Sequence, residues 1–316
     1  MAVRRRNFLA KEDFFRKDHI GIENNISSRI QYLVPYILLS PALVILGVIM
    51  LYPTVYNIYL SLWEWRYTSP GSAKFIGLEN YYNVFLNDPT FWQVLRFTLL
   101  FTAVTIGLEF LLGIGSALIF NNMKKGKRVA ASLFLIPYSV APIAVGLTWR
   151  LLWMNDYGLV NFFLKLIGLG TVDWLTNPVA SFFAVIIPEV WRSTPFVTMI
   201  LMAGLASIPE ELYEAADVDG CTVWNKFKSI TFPLIVPSLT IALMFQTIFK
   251  LRVFDLVITL TGGGPGTATL PIGVLIYRTC FRYLNGGYAA TLSVILLLLG
   301  VIFSMLYIKL MSRKDV

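Results

Sequence analysis

Six long, mostly apolar runs set the terms on which this chain can fold. The first, YLVPYILLSPALVILGVIMLYPTVYNIYLS, covers about 32–61, and others follow at about 93–120, 129–152, 179–206, 237–260 and 288–310. Each reaches the roughly 20 residues that a helix needs to cross about 30 Å of hydrocarbon. The composition agrees, with 57% hydrophobic and only 14% charged residues, where soluble domains carry about a quarter charged. The expected fold class is an all-α polytopic membrane protein with six transmembrane helices, since a helix satisfies its own backbone polar groups in lipid. Pro35, Pro41 and Pro53 fall in the first run, where a bundle can re-satisfy the carbonyls they free. That run is too long for a signal-peptide core and is read as an uncleaved first span. RRRNFLA near the start is followed by the charged KEDFFRKDHI and not by an apolar core, so it is not read as an export signal.

The net charge of +8 would suggest nucleic acid in a soluble protein, but here its distribution explains it. With the N-terminus inside, the segments on that side hold sixteen Lys and Arg, against five outside: Arg66, Lys74, Lys165, Arg278 and Arg282. The bias predicts that both termini lie in the cytoplasm. The expected organisation is a cytoplasmic tail at 1–31, a transmembrane domain at 32–311 with a cytoplasmic loop at 207–236, and a short tail at 312–316. Cys221 and Cys280 then fall on opposite sides, so no disulfide is expected. No His/Cys cluster has metal-ligand spacing. Outside, residues 77–95 are aromatic and amphipathic, and Trp63, Trp65, Tyr81, Tyr82 and Trp92 suit an interfacial belt.

The loop at 207–236 contains YEAADVDGCTVWNKFKSITFPLIVP. Ser207 and Glu210 have capping-box spacing, with Pro209 in the first turn. Gly220 suits a left-handed helix stop. Thr222 can cap a second, short helix, which Pro233 and Pro237 are expected to end. Leu212, Tyr213, Trp224, Phe227, Ile230 and Phe232 are too many apolar residues for a solvated connector. They call for span ends or a partner's groove.

EAADVDG followed by FKSITFPLIVP resembles the coupling signature of permease subunits of binding-protein-dependent ABC importers. Glu214, Ala215, Ala216, Gly220, Ile230 and Pro233 stand at its positions. Cys221 replaces the alanine that follows Asp-Gly in the sugar-importer form. Residues 133–161 and 75–92 resemble the carbohydrate-importer subfamily. LTGGGPGTAT at 260–269 resembles an element of its permeases akin to the larger maltose permease. The resemblance covers about 30–310. It implies the six-helix permease fold of type I importers, placed in a bacterial inner membrane. It also implies a second permease, two ATP-binding subunits and an external solute-binding protein as partners. ATP and Mg would sit on the partner subunits, and this chain would bind no cofactor, hold no catalytic site and contact no nucleic acid. Glu214 would be the charged contact to the ATPase, Ala215 and Ala216 would allow close approach, and Gly220 would permit the bend. The glycine-rich LTGGGPGTAT lacks the Gly-Lys-Ser/Thr of a P-loop and is read as an outer turn.

Ionisable residues within spans are candidate functional groups. Glu109 lies mid-span two. Glu189 and Arg192, at i and i+3 in span four, can pair. Lys250, Arg252 and Asp255 are expected in span five, with Gln246 a turn earlier. Tyr138, Glu189, Arg192, Gln246 and Lys250 are the candidate pathway residues, serving either structural pairing or solute contact. The solute expected from the resemblance is an oligosaccharide or sugar derivative, acidic ones included. An ion-coupled secondary transporter is the alternative, since it too is a bundle with charged midplane residues. A membrane-embedded enzyme is disfavoured, because no span carries paired histidines, HExxH or GxSxG.

Overall fold

The computed structural model describes residues 34–312 other than 70 and 72. Residues 1–31 and 313–316, expected as tails, lie outside the described residues. The chain divides into two compact units, residues 1–57 and 58–316.

The first unit contributes most of α1 (Val34–Ser61). This helix widens into a π-turn at Gly47–Leu51, where Tyr52 N–H reaches back to Gly47 C=O. Pro53 follows two residues later. The wider turn makes room where the proline ring would otherwise meet the preceding turn. The same pairing recurs at Phe227–Thr231 ahead of Pro233.

The second unit is built on α2 (Pro89–Asn122) and α6 (Pro178–Ala206). Both begin with the same device. Asp88 caps α2 by accepting from Thr90 and Phe91 N–H, and Asn177 caps α6 by accepting from Val179 and Ala180 N–H. A proline stands at the first helical position of each, where its missing N–H costs nothing. α2 packs more extensively on α6 than on any other element. Gly113 sets the approach, since a Cβ there would lie 2.8 Å from Val197 Cγ1.

Around this pair lie α3 (Lys127–Ser139) and α4 (Pro142–Leu152), bent by 85° to one another. The expected single span at 129–152 is therefore broken. Val140 and Ala141 are extended, as the residue before Pro142 must be to avoid its ring. Next come α5 (Leu159–Leu166), α7 (Glu210–Val218) and α8 (Val223–Leu251). α9 (Asp255–Leu260), α10 (Ile272–Tyr277) and α11 (Gly286–Ser312) complete the unit. A two-stranded ribbon, β1 (Trp63–Glu64) with β2 (Lys74–Phe75), runs antiparallel.

α8 departs from expectation. The helix that Pro233 and Pro237 were expected to end continues through both and supplies the fifth span, which stops at Leu251 and not near 260. The π-turn at Phe227–Thr231 absorbs Pro233, and Arg252 closes the helix.

One core joins Phe91, Phe101, Ile186, Leu256, Ile272 and Leu292. A second joins Ala117, Val197, Leu201, Leu205, Ile235 and Ala242 toward the α7 end. Outward faces of the long helices remain apolar, including Leu111, Leu112 and Ile119 on α2. Lipid-facing surfaces require this.

Candidate functional site

Two arrangements stand out: the hairpin of α7 and α8, and a charged cluster beside a cavity.

The hairpin turns at Gly220, whose φ is +71°. Gly220 N–H donates to Asp217 C=O and Cys221 N–H to Ala216 C=O, the paired bonds of a glycine-stopped helix. Thr222 Oγ1 accepts from Asn225 N–H and opens α8, as expected. The capping box does not form. Ser207 Oγ donates to Gly204 C=O at 2.7 Å, at the end of α6. Pro209 occupies the N-cap without a side-chain bond, so Glu210 is the first helical residue and cannot reach back. Two links tie the arms together: a Lys226–Asp217 ion pair, and Tyr213 Oη within 2.9 Å of Thr231 Oγ1.

Glu214, Ala215 and Gly220 are exposed on this hairpin, whereas Ala216 is buried against the chain itself. Ala216 therefore seats α7 on its own protein and does not face outward. Val218, Val223 and Trp224 are 89%, 85% and 69% exposed. A neighbouring groove of about 1040 Å³ is lined by Asn121, Leu205, Glu210, Tyr213, Trp224 and Phe227. These apolar side chains form an exposed patch beside the groove.

The charged cluster joins three helices. Glu189 Oε1 on α6 accepts from Arg192 Nη2 and Ser193 Oγ, both at 2.9 Å, and from Lys250 Nζ on α8. Lys250 Nζ also donates to Ser193 Oγ at 2.9 Å. It lies 2.8 Å from Glu109 Oε1 on α2, an ion pair without hydrogen-bond alignment, and Glu109 Oε2 has no hydrogen-bond partner among the described residues. Glu109, Glu189 and Lys250 are all buried. The i,i+3 pairing of Glu189 with Arg192 thus forms as the sequence allowed. The junction through Lys250 is tertiary.

A cavity of about 260 Å³ adjoins the cluster, lined by Tyr138, Glu189, Arg192, Gln246, Phe249 and Asp255 among others. Four of the five expected pathway residues meet there. Lys250 does not, because it is buried behind them, 1% exposed, serving two carboxylates. Arg252 and Asp255, expected within span five, lie at its broken end, Arg252 closing α8 and Asp255 opening α9, and both border the cavity. Gln246 Nε2 donates to Ser193 C=O at 3.4 Å. Tyr138 stacks on Phe196, which meets Phe249 edge-on. Phe196 and Ser193 were not singled out in the sequence. Ser193 lies one turn after Glu189, and that spacing was the available signal. The cavity therefore pairs aromatic faces with an amide, two guanidinium groups and two carboxylates, a lining suited to a polar, ring-shaped solute.

A family model described as "Binding-protein-dependent transport system inner membrane component" matches residues 26–314. The chain belongs to this family. As a family member it is a multi-pass membrane permease subunit. It is 39% identical over 301 residues to a trehalose/maltose transport system permease protein of Thermococcus litoralis, covering 93% of this chain and 100% of that one. It is 35% identical over 286 residues to a sulfoquinovosyl glycerol transport system permease protein of Agrobacterium fabrum, covering 90% and 92%. Its fold matches a chain of a bacterial ABC transporter involved in the import of the acidic polysaccharide alginate, with a TM-score of 0.77 at 23% identity over 92% and 99% of the two chains. The type I importer permease fold is thus established. Family membership sets aside the ion-gradient alternative.

Proposed function

We propose that this permease forms, with a second homologous permease, the alternating-access pathway for a carbohydrate in an ATP-driven importer. The observation that carries the carbohydrate assignment is kinship over nearly full length with permeases named for trehalose/maltose and for sulfoquinovosyl glycerol. The cavity supports it, since sugars are held by stacking aromatics and convergent hydrogen-bonding groups. Tyr138, Gln246 and Arg192 contact the solute. Glu189 holds Arg192 in place, and Lys250 acts from behind.

The exposed face of α7 docks in a groove of an ATP-binding subunit, helix-in-groove. Glu214 supplies the charge, Ala215 the close approach and Gly220 the bend. Two such subunits bind ATP and Mg, and this chain binds neither and catalyses nothing itself. An external solute-binding protein delivers the sugar. The charge bias supports a cytoplasmic hairpin and cytoplasmic termini, with the importer in the cell membrane.

Purification of the tagged chain from its native membrane tests this reading. It predicts co-purification of a second permease and an ATPase, with hydrolysis that rises on adding a sugar-loaded binding protein. A chain that purifies free of any ATPase contradicts it.

A further inference from the structure

α8 is unbroken from Val223 to Leu251, about 43 Å at 1.5 Å per residue. At one end it forms an arm of the hairpin. There the Lys226–Asp217 pair and the Tyr213–Thr231 contact fasten it to α7 on either side of the Gly220 turn. Near the other end stands Lys250, buried between Glu109 of α2 and Glu189 of α6. A displacement of the hairpin is therefore delivered along one helix to a single ammonium group that joins three helices.

We propose that Lys250 is a positioning residue, a latch through which movement of the α7–α8 hairpin reaches the solute cavity. The proposal rests on the function given above. The ammonium donates to Glu189 Oε1 and Ser193 Oγ on α6 and lies 2.8 Å from Glu109 Oε1 on α2. These three partners all lie on helices other than its own. The two carboxylates are served unequally. Glu189 receives aligned bonds from Arg192, Ser193 and Lys250. Among the described residues, fully buried Glu109 has one unaligned ion pair and keeps one oxygen without a partner.

A fixed structural pair satisfies both carboxylates, because buried unpaired oxygens are costly. Here one carboxylate is complete and the other waits. A small shift of α8 toward α2 aligns Lys250 with Glu109 and withdraws it from Glu189. Arg192 then becomes the sole cation on Glu189. Because both line the cavity, the cavity wall changes with the shift. Two discrete arrangements of one ammonium make a bistable element, which a transmitted motion needs.

The double variant Lys250→Met/Glu109→Gln removes both charges together and leaves Glu189 with Arg192 and Ser193. Hydrolysis by the complex with its ATPase subunits, reconstituted in nanodiscs, is measured with and without sugar-loaded binding protein. The latch predicts parental assembly, a rise in binding-protein-independent hydrolysis of about 5–150-fold, the usual size of an allosteric coupling, and loss of stimulation. A merely structural counter-ion predicts parental hydrolysis and stimulation, because the pair is removed as a unit; that result overturns the latch. Should the double variant not assemble, Glu109→Asp keeps the charge and draws it back by one methylene. Raised basal hydrolysis in that variant upholds the latch, and parental values overturn it. A parental complex that never responds to a binding protein counts instead against the proposed function.

Discussion

Lys250 Nζ lies 2.8 Å from Glu109 Oε1 across the packed faces of α8 and α2, and the same ammonium binds Glu189 on α6. Burial makes this junction unforgiving. Removing one partner strands a charge in a medium that cannot solvate it. Lys250→Ala is expected to destabilise the folded chain by about 3–5 kcal/mol. Thermal unfolding in detergent, read by intrinsic fluorescence, checks this. Lys250→Met/Glu109→Gln should recover most of the loss. A Lys250→Ala chain as stable as the parent would show that the junction does not hold the helices.

Glu214 is exposed on α7 and takes no part in the cluster. Glu214→Lys should therefore leave insertion and unfolding temperature unchanged. Its effect should fall on the partner contact, with about 2–5 kcal/mol lost if the charge pair is desolvated there. Co-purification of the ATPase measures it. Retention of the ATPase at parental yield would remove Glu214 from the interface.

Gly220 sits at φ +71° with open space around it. A side chain there meets no neighbour but must adopt a left-handed backbone, at about 1–2 kcal/mol. Gly220→Val should leave the spans intact and loosen only the hairpin. The expected signature is normal membrane yield with reduced solute-stimulated hydrolysis. Normal coupling in this variant would mean that the turn tolerates other geometries.

How much of this was readable from the sequence differs by element. The apolar runs gave the long helices, because hydropathy reports burial in lipid directly. The hairpin was readable at Gly220 and Thr222, where the conformation depends on the residue itself. It was misread at Ser207, whose hydroxyl serves the end of α6, and at Pro233, where a π-turn removes the expected break. The 85° bend between α3 and α4 escaped notice because hydropathy carries no direction. At the site, Glu189 and Arg192 were readable from i,i+3 spacing. The Lys250 junction was not, since residues 61 and 141 positions from Lys250 meet only through packing. The Asp88-Pro89 start of α2 carried a standard capping signal that the apolar-run boundary overlooked.

Asp88 does two jobs, capping α2 and accepting from Tyr288 Oη on α11 at 2.7 Å. Asp88→Ala should cost about 0.5–2 kcal/mol for the cap alone. Tyr288→Phe should cost less, because it leaves the cap in place. A pair of unfolding curves distinguishes them, and equal losses would show that the cap contributes little.

Gln246 lines the cavity with its amide near Ser193 C=O. Loss of one hydrogen bond to a neutral group costs about 0.5–1.5 kcal/mol, so Gln246→Ala should raise the KM for sugar uptake severalfold. Parental KM and rate would take Gln246 out of the site.

The most direct test of the account is sugar uptake into proteoliposomes that hold the assembled complex. Labelled disaccharides and an acidic sugar are supplied with the binding protein, with ATP inside or absent. The account predicts uptake of a carbohydrate that requires both ATP and the binding protein and ignores an imposed ion gradient. Uptake that follows the ion gradient without ATP, or a complex that hydrolyses ATP in response only to a non-carbohydrate solute, contradicts it.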